Sequence, residues 1–270
     1  MGSVAQGPGR ALRRSRFQPN DFGLAEALGG LAVGFVLASV LVALFATASG
    51  HSSHPSSFGS DVVDLLGLWA GLVGAAVVAS RRHRRPATAP DAGARRLGGA
   101  LGDLAADFGL AFRPWPDLPL GVAVGLGSQY LLVPLLELPL SPFVPHLAHR
   151  LSQPARSVTG DAHGPGLLLI AVLVCLGSPL VEELFFRGLL LRALAARLAP
   201  LGRRLGPAAS VVAVGIVFGL VHFEALELPA LVGFGMVLAL LAWRTGRLGP
   251  GIVAHMAFNT ATVVSLAHWR

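Results

Sequence analysis

The chain has 270 residues, 53% of them hydrophobic and only 13% charged, and its mean hydropathy is +0.66. A soluble domain of this length needs far more charge to keep its surface hydrated, which excludes the soluble classes. The net charge of +7 comes wholly from arginine, with no lysine present. These arginines cluster between apolar blocks, a positive-inside distribution rather than a nucleic-acid footprint.

Residues 1–20 carry Arg10, Arg13, Arg14 and Arg16 among Gly, Pro and Ser and read as a disordered basic cytoplasmic arm. The first apolar block, Leu24–Ser49, ends in Ala46-Thr47-Ala48-Ser49-Gly50, which looks like a signal-peptide cleavage site. The block is longer than a signal core and further spans follow, so an uncleaved first helix is expected. The linker 51–60 lacks arginine, as an exterior loop should. A second span, Val62–Ser80, stops at Arg81-Arg82-His83-Arg84-Arg85, the clearest cytoplasmic marker in the chain. Within residues 86–117, Leu97, Leu101, Leu104, Phe108 and Ala111 repeat at helical spacing opposite Asp103 and Asp107. That pattern predicts an interfacial amphipathic helix, with a soluble linker helix as the alternative of similar pattern.

Leu118–Leu136 is a third span, and residues 137–165, with five prolines and no long apolar run, read as an exterior loop. Gly166–Leu191 forms a fourth span that contains the single cysteine, Cys175, read as a small buried hydrophobe. Arg192, Arg197, Arg203 and Arg204 then mark the cytoplasmic side. Ala208–Leu226, Leu228–Trp243 and Leu248–Leu266 complete the set, with Arg244 and Arg247 between the last two. The expected fold is all-α, a polytopic transmembrane bundle of about seven spans, or eight counting the interfacial helix, since each block is near the ~20 residues that cross a bilayer. The organisation expected is the arm at 1–20, an N-terminal transmembrane region at 21–160 and a C-terminal domain at 161–270 that carries the chemistry. The protein is expected in the cell membrane as a multi-pass chain, N-terminus cytoplasmic and C-terminus exterior.

An ionisable side chain at a helix centre costs ~2.5–3.5 kcal/mol even on the lenient insertion scale. The C-terminal region accepts that cost repeatedly, in Glu182-Glu183-Leu184-Phe185-Phe186-Arg187, in Phe218-Gly219-Leu220-Val221-His222 and in His255-Met256-Ala257-Phe258-Asn259. Glu183 and Arg187 are four residues apart on one face, acid first, and read as a structural ion pair. Glu182 is turned ~100° away with no cation in reach on its own helix, which makes it the chemical candidate. Centring each span on its apolar run puts Glu182 near the midplane, with His222 ~7 Å toward the exterior and His255 ~4 Å toward the cytoplasm. The three helices can converge on one wet cavity at those depths.

This inventory suits water activation in two ways. Glu182, His222 and His255 form a possible zinc set, and the metal would lower the pKa of its water; the usual HExxH helix is absent. Alternatively no metal takes part: Glu182 is the general base, His222 positions the water, and His255 with Asn259 donates to the oxyanion.

Glu-Glu-x-x-x-Arg at 182–187, Phe-x-x-x-His at 218–222 and His-x-x-x-Asn at 255–259, in this order and each in an apolar helix, resemble the CAAX prenyl endopeptidase and bacteriocin-processing family. Its members are also called abortive-infection proteins or CPBP intramembrane metalloproteases. The resemblance spans about Gly166–Ser265 and includes Pro179-Leu180-Val181, Phe186-Arg187-Gly188 and Gly249-Pro250-Gly251-Ile252. It implies an intramembrane endopeptidase whose catalytic positions are Glu182, His222, His255 and Asn259, supported by Glu183, Arg187 and Phe218. The implied substrate is a peptide or membrane protein, lipidated or bacteriocin-like. Two other classes share the inventory: a non-catalytic membrane immunity or scaffold protein, and a proton-coupled carrier, against which the lack of inverted repeats counts.

Overall fold

The computed structural model describes Phe17 and residues 23–49, 58–84, 97–160 and 164–268, all helix and connecting turn, with no strand among them. The basic arm other than Phe17, the linker 51–57 and residues 85–96 lie outside the described residues, as do the side chains of Leu97, Leu101 and Asp103. Phe17 itself is buried, stacked on Trp243 at 4.3 Å between ring centroids, with Arg192 4.9 Å above it.

Helices α1 (Leu24–Ala48) and α2 (Phe58–His83) form an antiparallel pair. They approach at Gly34 and Gly71 so closely that a Cβ on either would strike the other helix. Small residues at such a crossing are how apolar helices associate in lipid, where burying leucine gains nothing. The outer face of α1 is left apolar and exposed, through Val33, Val36, Val40 and Leu44. The expected amphipathic helix is α3 (Leu97–Phe108), with Leu104 and Phe108 buried. It is clipped beneath α2 by Asp107, which accepts hydrogen bonds from Ser80 Oγ (2.6 Å), Arg84 Nε (2.8 Å) and Arg84 Nη2 (2.6 Å). Burial works to raise the Asp107 pKa, but these donors prevail and hold it below its ordinary value.

The third span begins earlier than expected. Pro114 opens α4 (Pro114–Gly127), because a proline at the first turn lacks only an N–H that would go unpaired there. The chain continues through a π-helical segment, Ser128–Leu132, into α5 (Val133–Glu137). Residues 137–165, read as an exterior loop, contain the helix α6 (Leu147–Gly160), whose polar composition gives no long apolar run. The fourth span is a longer helix than expected: α7 (Pro165–Val172), a π segment (Leu173–Gly177), α8 (Ser178–Glu182), a second π segment (Glu183–Leu190) and α9 (Leu191–Leu198). Each shorter π segment immediately precedes or abuts a helix carrying a proline in its first turn, Pro134 or Pro179. A ring without an N–H removes one rung, and a wider local turn re-seats the rest.

A 3-10 turn (Ala199–Leu201) and Gly202, with φ 91°, reverse the chain into α10 (Gly202–Leu220). α11 (Leu228–Thr245) and α12 (Gly249–His268) follow. Five stretches among the described residues are long and apolar enough to cross a membrane; one of them, Pro165–Leu220, is 56 residues long. A straight 56-residue helix would measure ~84 Å, so the break at Gly202 makes it two passes. With α12, 20 residues long, the path agrees with a polytopic helical bundle.

Candidate active site

The helix that carries the two acids places them in different surroundings. Glu183 opens the second π segment and its side chain is fully buried. Its Oε1 accepts from Arg187 Nη1 at 2.8 Å, and the equally buried guanidinium also donates to Gly235 O at 3.0 Å. Arg187 lies 4.5 Å from the centroid of the Phe218 ring, so a π face covers the cation where it has no oxygen. The same Glu183 oxygen stands 3.2 Å from His255 Nδ1. Glu182 retains 17% side-chain exposure, and its Oε2 is buried with no hydrogen-bond partner. Facing that oxygen at 3.9 Å is His255 Nε2.

His255 therefore stands between the two acids, one ring nitrogen toward each. It is 3% exposed and packed edge-on between Phe218 and Phe234, at 5.7 and 5.5 Å. Phe234 stacks in turn on Phe258 at 4.0 Å, which fixes the ring wall from α11 to α12.

His222 differs from the expected position. α10 stops at Leu220, and His222 lies in the following turn rather than within a helix. Its Nδ1 meets Phe218 O at 2.6 Å, capping a carbonyl that the helix end leaves open. The ring rests 4.7 Å from that of Phe218, so His222 joins the cluster through Phe218; no hydrogen bond or ion pair links it to either glutamate among the described residues. The next residue, Phe223, has φ 56°, a rare conformation for a bulky side chain.

Asn259 also has a local task. A π turn pairs the N–H of residue i with the carbonyl of i−5, and Ser178 N–H does bond Leu173 O. The next donor in that register is Pro179, which has no N–H, leaving Val174 O without a rung. Asn259 Nδ2 supplies it at 2.9 Å. Pro179 was the only sequence signal for this bond. Phe234 and Gly235 O carried none.

Both histidines have Nδ1 committed, to Glu183 and to a backbone carbonyl, which leaves Nε2 as the free nitrogen on each. Metal-ligating histidines are held that way, and the orphaned Glu182 Oε2 is a suitable third donor. The set is nevertheless not gathered: among the described residues no three His, Cys, Asp or Glu side chains stand close enough to hold a metal ion. The chemistry below is accordingly assigned to the chain's own groups.

Fold and site together define a polytopic helical membrane protein with an acid–histidine cluster buried between α8, α10 and α12. Residues 164–261 match the family described as type II CAAX prenyl endopeptidase, Rce1-like, the same family that the three motifs resemble. No curated protein and no solved structure matches the chain.

Proposed function

We propose that the protein is an intramembrane endopeptidase that hydrolyses a peptide bond of a membrane-associated substrate with Glu182 as general base. The observation that carries this reading is the asymmetry of the two acids: fully buried Glu183 holds Arg187 and His255 by hydrogen bonds through Oε1, while Glu182, still 17% exposed, has no hydrogen bond on Oε2 and faces His255 Nε2 across 3.9 Å. That gap is too long for a direct hydrogen bond, and catalysis requires the reacting water to enter between the two atoms and donate to both. Glu183, itself neutralised by Arg187, keeps the His255 proton on Nδ1 and so leaves Nε2 as the acceptor.

In the first step Glu182 takes a proton from the water, and the water oxygen bonds to the peptide carbonyl carbon. In the second the C–N bond breaks as Glu182 returns that proton to the leaving amine. Asn259, with one amide hydrogen on Val174 O, has a second for the developing oxyanion. The family match supports a proteolytic activity of this type.

The test is cleavage of a library of membrane-proximal peptides, with and without a prenylated C-terminus, by detergent-purified protein. Glu182→Gln should lose about 10²–10⁴-fold in rate with an unchanged melting temperature. Equal cleavage by the Glu182→Gln variant would remove the assigned role. A chelator arm decides whether an ion takes part, and a wild type that cleaves no peptide would favour a non-catalytic scaffold.

A further inference from the structure

A second polar site lies at the arginine-rich end of the bundle, apart from the acid pair. α4 and α12 run side by side in parallel: a Cβ at Gly121 would strike Val253, and one at Gly125 would strike the Ala254 carbonyl. Parallel packing brings both helix N-termini, Pro114 and Gly249, to the same end. Between them Asp117 is completely buried. Its Oδ2 accepts from the Arg113 backbone N–H at 2.7 Å, and its Oδ1 accepts from Arg247 Nη2. A cavity of about 350 Å³, lined by Arg113, Thr245, Gly246 and Arg247, opens beside this knot. The Arg247 side chain is 13% exposed and its Nε has no hydrogen-bond partner. The Arg113 guanidinium, by contrast, is exposed and takes no part in the Asp117 knot.

We infer that this cavity binds the phosphate of an anionic phospholipid. Two guanidiniums against one carboxylate leave one positive charge, and the two helix N-termini each add about half a charge more. That net positive field suits a phosphate anion, and planar guanidiniums match phosphate oxygens in pairs. What selects a lipid over a free ion is the rim. Trp115 is 84% exposed and Phe112 is 53% exposed, flanking Arg113. Exposed aromatics beside arginine at a helix end mark the headgroup level of a bilayer. The positive-inside distribution of arginine places this end in the cytoplasmic leaflet, where anionic lipids attract such side chains.

The test uses the full chain in neutral-detergent micelles, titrated with phosphatidylglycerol, with phosphatidylcholine or with inorganic phosphate, and reads the melting temperature. Phosphatidylglycerol should raise it saturably, and the other two should not at the same concentration. Arg113→Gln removes a side chain that the knot does not use, so the variant should fold, and its half-saturating lipid concentration should rise about tenfold. Arg81→Gln, an exposed arginine on α2, should leave the titration unchanged. Phosphatidylcholine acting as well as phosphatidylglycerol would overturn the inference, as would an equal loss in Arg81→Gln, which would make the effect a general basic surface. Inorganic phosphate reproducing the shift would show a free-anion site and overturn the lipid assignment.

Discussion

The pair formed by Glu183 and Arg187 can be tested with a double-mutant cycle. Both side chains are 0% exposed, and the hydrogen bond between them is 2.8 Å. In Glu183→Gln the guanidinium keeps Gly235 O and the Phe218 face but loses the carboxylate it is hydrogen-bonded to, and Arg187 Nε already lacks a hydrogen-bond partner. Removing one member of a buried ion pair costs about 3–5 kcal/mol. Arg187→Met should cost a similar amount, since the carboxylate is then left with only His255. In the double variant neither position carries a charge, and the main loss is a donor to Gly235 O, about 1–3 kcal/mol. The double variant should therefore be more stable than either single one. Thermal unfolding in detergent reads this directly, at about 2–4 °C per kcal/mol for a chain of this size class. If the two losses simply add, the side chains do not act as a pair, and the division of labour between the acids falls with them.

The same geometry yields further expectations. A Cβ at Gly251 would lie 2.9 Å from Glu183 Oε2, so Gly251→Ala should push that carboxylate off His255 and slow cleavage by about tenfold to a hundredfold; unaltered kcat would show that Glu183 does not orient the ring. Asn259→Ala strips Val174 O of its donor and should cost about 1–3 kcal/mol, measurable as a lowered melting temperature, whereas an unchanged value would mean that the bond carries no weight. Glu227, in the turn before α11, has its pKa pushed up to about 7 by burial first and then by the carboxylates of Glu224 and Glu137. An acid whose folded pKa lies above its ordinary 4.5 binds more protons folded than unfolded, so stability falls as pH rises from about 4.5 to 7. Glu227→Gln should thus melt higher than wild type at pH 8 and alike at pH 4, and the reverse pattern would refute the burial argument.

The bundle was legible because lipid imposes a length: blocks near 20 residues, bounded by arginine, leave little freedom. The i, i+4 spacing likewise announced the pairing of Glu183 with Arg187. What stayed hidden is either local backbone adjustment or contact between helices. Pro179 signals a disturbed rung but not that the helix answers with a π turn, nor that Asn259 fills the vacancy. After His222 the residues Phe223-Glu224-Ala225-Leu226 read as more helix, and the stop comes from Phe223 at φ 56° with no glycine to betray it. His255 touching both acids depends on how α12 lies against α8, which no single-helix pattern encodes. α6 escaped because it holds no long apolar run: Leu147 and Leu151 are separated by His149 and Arg150, and Gln153 and Pro154 follow.

The family match begins at residue 164, yet the helix that carries both acids is braced from outside the matched segment. A side chain at Gly177, the end of its first π segment, would collide with Trp69 of α2. In the second π segment, Gly188 admits Phe108 of α3, whose Cβ would be 3.0 Å from a new one. Phe35 of α1 packs edge-on against Phe223 at 5.4 Å, beside His222. π turns are poor in intrinsic stability and survive where surrounding structure holds them. Here the bracing residues come from three helices of the N-terminal half and meet the acid-bearing helix and the His222 turn. The orientation of Glu182 toward His255 thus rests on helices that contribute no acid or histidine to the cluster, which argues that they are part of the site's scaffold and not merely additional membrane anchors.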